Sequence, residues 1–201
     1  MKHLDLFSGI GGFSYAADQV WENVEHIFVE NDAFCNQVLK KHWPNATFHG
    51  DIRTFIADTA SNGDGGKGGV QGQGKDKKTI RETPATSLSN HHVDILTGGF
   101  PCQPFSQAGR RKGTEDDRYL WPEMFRVIQL TKPQWVIAEN VRGFTTWNEG
   151  MVLEQVCVDL ESEGYQVQPL IIPAVAVNAP HRRDRVWIIA HAKNADDRGS
   201  T

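Results

Sequence analysis

His3-Leu4-Asp5-Leu6-Phe7-Ser8-Gly9-Ile10-Gly11-Gly12-Phe13 runs a short strand candidate (residues 3–7) into a glycine-rich loop, and then into residues 13–21, which have helical character. Strand, glycine loop and helix in that order make the first unit of a nucleotide-binding α/β sheet. The glycines let backbone approach a ligand closely, and the following helix start offers free N–H donors. An ordinary tight turn between strand and helix uses the same glycines, so the loop by itself leaves both readings open.

A second stretch narrows the choice. Val93-Asp94-Ile95-Leu96 reads as a buried strand, and Gly98-Gly99-Phe100-Pro101-Cys102-Gln103-Pro104-Phe105-Ser106 follows it. Cys102 is therefore expected on a loop leaving the carboxyl edge of the sheet, where open α/β sheets bind ligands. Pro101 and Pro104 cannot continue a strand or enter a helix interior, so they hold an extended turn around the sulfur. A free cysteine is often an inert apolar filler. The glycine pair, the proline bracket and the strand-end position point instead to a nucleophile.

The bulk properties bound the rest. A chain of 201 residues with 39% hydrophobic and 23% charged content suits one globular domain. No apolar run approaches the roughly 20 residues that span a bilayer, and the amino terminus enters a strand at once without a secretory signal. Cys35, Cys102 and Cys157 form no Cys-x-x-Cys pair and have no local histidine cluster, which argues against a disulfide framework or zinc site and for a reducing cytoplasm. The net charge of −4 weighs against this chain gripping duplex DNA unaided.

Residues 25–30 read as a second strand ending on Glu30, an acid placed to bond a ribose diol or simply the solvated end of a strand. Residues 31–43 read as a helix with Phe34, Cys35, Val38 and Leu39 on one inward face. A short third strand at 46–49 leads to Gly50-Asp51-Ile52, where Asp51 either accepts from an adenine amino group or caps a helix over 52–58. Residues 60–90 lose all apolar periodicity and are expected to be a disordered insertion. The glycine-bounded polar loop after Cys102 carries Arg110, Arg111, Lys112 and Arg118, candidates for phosphate contacts on a mobile lid.

Residues 119–131 form a helix stopped by Lys132-Pro133, and a fifth strand from 134 ends in Glu139-Asn140-Val141. Glu139 thus shares the sheet edge with Cys102, as an acid beside a nucleophile. A helix at 151–160 buries Cys157, a strand follows at 165–172, and Arg182-Arg183-Asp184-Arg185 leads into a final strand at 186–190. Arginines at a strand entrance are costly to bury unless they meet anions or acceptors.

Taken together these residues resemble the catalytic domain of the DNA (cytosine-5)-methyltransferases, which use S-adenosylmethionine. Asp5 to Phe13 resembles the family's cofactor loop, Glu30 its ribose-binding acid with Asn31 beside it, and Gly50-Asp51-Ile52 its adenine contact. Pro101-Cys102-Gln103 resembles the nucleophile motif, Glu139-Asn140-Val141 the Glu-Asn-Val motif, and Arg183-Asp184-Arg185 the Arg-acid-Arg motif. Six matches in order cover nearly the whole chain apart from the stretch at 60–90. The resemblance implies a doubly wound, mostly parallel sheet of six or seven strands, the last antiparallel. It implies Cys102, Glu139, Arg183 and Arg185 as catalytic groups. A positive neighbour would favour the Cys102 thiolate. The implied cofactor residues are Phe7, Ser8, Gly9, Ile10, Gly11, Gly12, Phe13, Glu30, Asn31, Asp51, Ile52, Pro101 and Leu120. The target base of double-stranded DNA would be flipped out to Cys102, with Gln103, Ser106 and Arg118 near the DNA and Arg110, Arg111 and Lys112 as candidates for its phosphates.

The resemblance implies no metal and a cytoplasmic setting in a prokaryotic or phage-infected cell. Family members continue into a target-recognition region and a closing helix, so residues 1–201 are expected to be a truncated catalytic domain, completed by a second polypeptide or a longer parent chain. A remnant that binds cofactor without methylating, or a relative acting on transfer RNA, are the other readings.

Overall fold

The structure is a computed structural model that describes residues 1–55, 92–102 and 119–193. The expected insertion at 60–90 and the DNA-side candidates Gln103, Ser106, Arg110, Arg111, Lys112 and Arg118 lie outside the described residues. Seven strands form one sheet in the order β3-β2-β1-β4-β5-β7-β6. They are β1 (Lys2–Leu6), β2 (Glu25–Val29), β3 (Thr47–His49), β4 (Ile95–Gly98), β5 (Trp135–Val141), β6 (Tyr165–Pro173) and β7 (Asp184–Ala192). The helices are α1 (Gly12–Val20), α2 (Ala33–His42), α3 (Trp121–Thr131) and α4 (Met151–Ser162).

β1 to β5 run parallel, while β7 is antiparallel to both β5 and β6. This is the expected doubly wound sheet with seven strands. The chain moves outward from β1 to β3 and then returns to β4 on the other side of β1. The β1/β4 boundary is therefore the switch point where such sheets open a crevice. Its centre is buried from both faces: Leu4, Leu6, Ile27, Val29, Leu96, Val136, Ala138 and Ile188 are almost wholly inaccessible. That explains the near-continuous apolar runs of β2, β4 and β7.

The helices begin and end on local signals. Asp32 caps α2 by accepting from Cys35 N at 2.8 Å. Pro122 sits in the first turn of α3, where its missing donor costs nothing. The expected inward face of α2 is narrower than its sequence suggested. Leu39 is buried, but Phe34 is 67% exposed and Cys35 only half-buried, because only the carboxyl-terminal half of the helix leans on the sheet. Cys157 on α4 is likewise half-buried, with Val152, Val156 and Leu160 filling the core beside it. Among the described residues no helix is long and apolar enough to cross a membrane.

One face of β1 buries polar groups. Ser14 Oγ donates to Asp5 Oδ2 at 2.7 Å, and Thr97 Oγ1 lies 3.1 Å from Asp5 Oδ1 and 2.8 Å from His3 Nε2. His3 Nδ1 meets His26 Nδ1 at 3.0 Å, and His26 Nε2 meets Asp18 Oδ1 at 2.8 Å. Buried polar atoms need partners, and each atom of this network has one. With Asp5 protonated, one consistent set of donors points outward: Asp5 to Thr97, Thr97 to His3, His3 to His26, His26 to Asp18.

Burial raises Asp5 to about 7 against the opposing bonds from Ser14 and Thr97, and burial, reinforced by His26, lowers His3 to about 3. Between pH 3.8 and about 7 the folded chain holds the extra proton at Asp5, so that contribution to stability falls as pH rises. Between about pH 3 and 6.5 the unfolded chain holds the extra proton at His3, so its contribution rises. The two oppose each other over their shared window. Asp5→Asn removes one of them. Its unfolding free energy is expected to climb with pH more steeply than the wild type's, by about 1.4 kcal/mol per pH unit, in urea titrations between pH 4 and 6.5.

Candidate active site

Strand register alone assembles the site. His49 pairs with Val29, Val29 with Leu6, Leu6 with Gly98, and Gly98 with Ala138. The next residue along each strand therefore falls in one rank at the carboxyl edge: Gly50, Glu30, Phe7, Gly99 and Glu139.

The half of that rank on the β1-to-β3 side borders an open groove of about 280 Å³, lined by Phe7, Glu30, Asn31, Gly50, Asp51 and Ile52, with Pro101 and Leu120 closing it from the other side. Phe7 turns the chain out of β1 with φ at +54°. Glu30 is held from two sides, Oε2 accepting from Gly9 N at 2.8 Å and Oε1 from Asp32 N at 2.7 Å. Its carboxylate retains lone pairs for a further donor. Asp51 caps the 3₁₀ turn Ile52–Thr54 through Arg53 N at 3.0 Å while still bordering the groove, so the two readings of that residue coexist. Arg126 of α3 ties the same turn down, donating to Ile52 O at 2.5 Å and Phe55 O at 2.9 Å.

The glycine loop divides its labour. A Cβ on Gly9, Gly12 or Gly50 would meet no atom within 4 Å, so the backbone there is open to an incoming group. Gly11 is different: at φ +90° its Cβ would come within 2.5 Å of the Trp43 ring, so glycine is required for packing. Ser8 is buried and donates to Asp5 O at 2.6 Å, and Phe13 packs edge-on against Trp187. Ile10 is 61% exposed. Thus Ser8, Gly9, Ile10, Gly11, Gly12 and Phe13, expected as cofactor contacts, are not among the residues that line the groove, and Ser8, Gly11 and Phe13 shape the loop. The exposed glycines, the anchored acid and the groove fit an adenosine-containing cofactor.

Cys102 stands on the other half of the edge. Phe100 is buried against Trp121 and Phe144, with ring centroids at 5.3 and 5.4 Å, and this aromatic floor fixes the start of the loop. Leu120 N donates to Pro101 O at 3.2 Å and Cys102 bridges to Tyr119, so residues 102 and 119 meet. The thiol donates to Asn140 Oδ1. Asn140 is itself fixed, donating to Phe100 O at 3.0 Å and accepting from Val141 N at 2.9 Å. Sequence reasoning gave Asn140 no role of its own, because a contact 38 residues away leaves no local pattern. Cys102 is 7% exposed, and burial, together with the charge of Glu139, pushes it up to about 11. The expected thiolate-favouring neighbour is absent from this state because Arg185 is committed to Glu139.

Arg185 Nε meets Glu139 Oε1 at 2.7 Å. Burial raises Glu139 above the ordinary carboxyl range even so, outweighing Arg185 and Arg183. A Cβ on Gly99 would come within 3.3 Å of Glu139 Oε2, so this glycine leaves room for the acid. Arg183 is exposed, and its charge reaches Glu139. Cys102, Glu139, Arg183 and Arg185 are thus brought to one end of the sheet, next to the groove.

Comparison with known proteins agrees with that arrangement. The C-5 cytosine-specific DNA methylase family matches residues 1–199. The chain belongs to this family. It is 43% identical over 189 residues to the Type II methyltransferase M.PspPI of Psychrobacter sp. (strain TA137), covering 92% of this chain and 38% of that protein. Against the Type II methyltransferase M.NlaX of Neisseria lactamica it is 30% identical over 191 residues, covering 94% of this chain and 51% of the relative. The chain therefore spans about half the length, or less, of these curated relatives. The fold is shared with the Dnmt2 methyltransferase of S. pombe, with TM-score 0.66, 22% identity, and coverage of 96% and 51% of the two chains. It is also shared with the methyltransferase EhMeth of Entamoeba histolytica, with TM-score 0.65, 18% identity, and coverage of 95% and 52%.

The closed thiol makes a direct chemical expectation. Alkylation of Cys102 by iodoacetamide, followed by peptide mass spectrometry, should be slow at pH 7 and rise about tenfold per pH unit, without a plateau before about pH 11. A plateau near pH 8 would contradict the buried, protonated state.

Proposed function

We propose that residues 1–201 are the catalytic domain of a cytosine-5 DNA methyltransferase that moves a methyl group from S-adenosylmethionine to carbon 5 of a flipped cytosine. The observation that carries this is the shared edge: Cys102, three residues past Gly99, and the arginine-paired Glu139 stand at the same end of the sheet as the groove bordered by Phe7 and Glu30. Glu30 would hold the ribose, Asp51 and Ile52 the adenine, and Phe7, Asn31, Pro101 and Leu120 the walls. Bound there, S-adenosylmethionine supplies an electrophilic methyl group.

The chain's own groups prepare the base. Carbon 5 of cytosine is too weak a nucleophile unaided. Cys102 Sγ adds to carbon 6 and makes carbon 5 electron-rich. Glu139, which burial biases toward its protonated form, donates to N3 once it holds a proton, as negative charge gathers there. Arg185 positions Glu139, and Arg183 reaches the base oxygen. When a base enters, Sγ leaves Asn140 and gives its proton to solvent water, so thiolate formation is coupled to substrate entry. Loss of the carbon 5 proton then expels the sulfur. The target must leave the duplex, because an enclosed sulfur cannot reach a stacked base.

Transfer of labelled methyl to mixed-sequence duplex DNA tests this, with the chain alone and mixed with the part of M.PspPI outside the aligned stretch. Cys102→Ala should abolish labelling, and Glu139→Gln should lower it about 10²- to 10⁴-fold. Absence of labelling in every mixture would defeat the reading. In calorimetry, Glu30→Ala should weaken S-adenosylmethionine binding about 10- to 100-fold by removing an ionic hydrogen bond.

A further inference from the structure

Beside the catalytic pair, two arginines are gathered on one carboxylate at the protein surface. Arg142, the first residue after β5, reaches Asp184 Oδ2 through Nη1 at 2.6 Å. Arg182 reaches Asp184 Oδ1 through Nε at 3.2 Å. Asp184 is 11% exposed, whereas the arginine side chains are 57% and 76% exposed, so each fork is anchored at one nitrogen and otherwise faces solvent. Two guanidiniums on one carboxylate leave a net positive charge in a fixed place.

The backbone is bent to build this group. Arg183 has φ +33°, which is uncommon for a non-glycine residue and is strained. Ala174 N holds the turn by donating to Arg182 O at 2.8 Å and Arg183 O at 3.3 Å. Arg185 Nη1 donates to Asp184 O at 2.9 Å while its Nε pairs with Glu139. The bent segment is thus rigidly joined to the catalytic acid.

A stabilising surface ion pair needs neither a second arginine nor a strained residue, and exposed pairs contribute little. A phosphodiester does use a second arginine, because it takes charge-assisted hydrogen bonds from pre-oriented guanidinium forks. We propose that Arg142 and Arg182, held by Asp184, form the seat for one backbone phosphate of duplex DNA flanking the extruded cytosine. Asp184 orients the forks and makes no contact with the phosphate. This rests on the cytosine-methylation reading, since that reading places DNA at this edge.

The test is duplex binding by fluorescence anisotropy, using the full chain and a labelled mixed-sequence duplex across 20–250 mM KCl, about a tenfold span. The double variant Arg142→Gln/Arg182→Gln keeps donors for Asp184 and loses the charge. It should lower the slope of log K against log salt by about one unit, and weaken binding to unrelated duplexes equally. Arg142→Lys/Arg182→Lys should restore the slope, a rescue that an effect on folding alone would not give. Calorimetric S-adenosylmethionine binding checks that the groove is intact in both variants. An unchanged slope in the glutamine variant overturns the seat and leaves the methylation reading standing. Wild-type chain that binds no duplex even at 20 mM KCl overturns the seat as well, whereas only absence of labelling in every mixture overturns the methylation reading.

Discussion

Parallel register is the constraint on which the rest of the structure depends. Because side chains alternate along a strand, a slip of one residue between β1 and β4 would reverse every buried contact of the central sheet. Leu4, Leu6, Leu96 and Val136 are inaccessible, so such a slip is excluded. The same pairing that protects these residues leaves Glu30, Phe7, Gly99 and Glu139 abreast at one edge. A hydrophobic requirement in the interior thereby fixes a polar arrangement at the rim.

The polar groups near the rim follow a second rule, that what is buried must be bonded. Asp5 lies directly below the glycine loop and takes donors from Ser14 and Thr97. Through His3 and His26 it connects to Asp18, whose side chain is 38% exposed. Glu30 takes two backbone donors, one of them from the loop itself. These bonds tie the loop to the strands on either side, so the groove is part of the sheet's own bonding pattern.

The candidate chemistry is held in a closed state. Cys102 donates to Asn140 at the end of β5, and Glu139 in the same strand is paired with Arg185 of β7. One strand thus presents adjacent residues to a thiol and to an arginine, with the aromatic floor of Phe100, Trp121 and Phe144 beneath. The antiparallel β5–β7 pairing sets this, aligning Glu139 with Trp187 and Val141 with Arg185. A parallel neighbour would have sent residues 182–185 to the opposite edge.

Much of this was legible in the chain. Apolar runs bounded by glycine and proline marked the strands, and the motif order placed Glu30, Asp51, Cys102, Glu139 and Arg185 at strand ends, because strand ends are local features. What depends on distant partners was not legible. The half-burial of Cys35 and Cys157 and the exposure of Phe34 follow from how their helices lean on the sheet. Asn140 acquires its thiol partner, and Asp184 its two arginines, only when β4, β5 and β7 come together. The sequence by itself determined the order of elements and which residue types reach the edge, since periodicity and turn chemistry act over a few residues. Tertiary structure alone decided that Cys102, Asp5 and Glu139 all hold their protons more tightly than they would in water, because burial and charge are set by groups far apart in the chain.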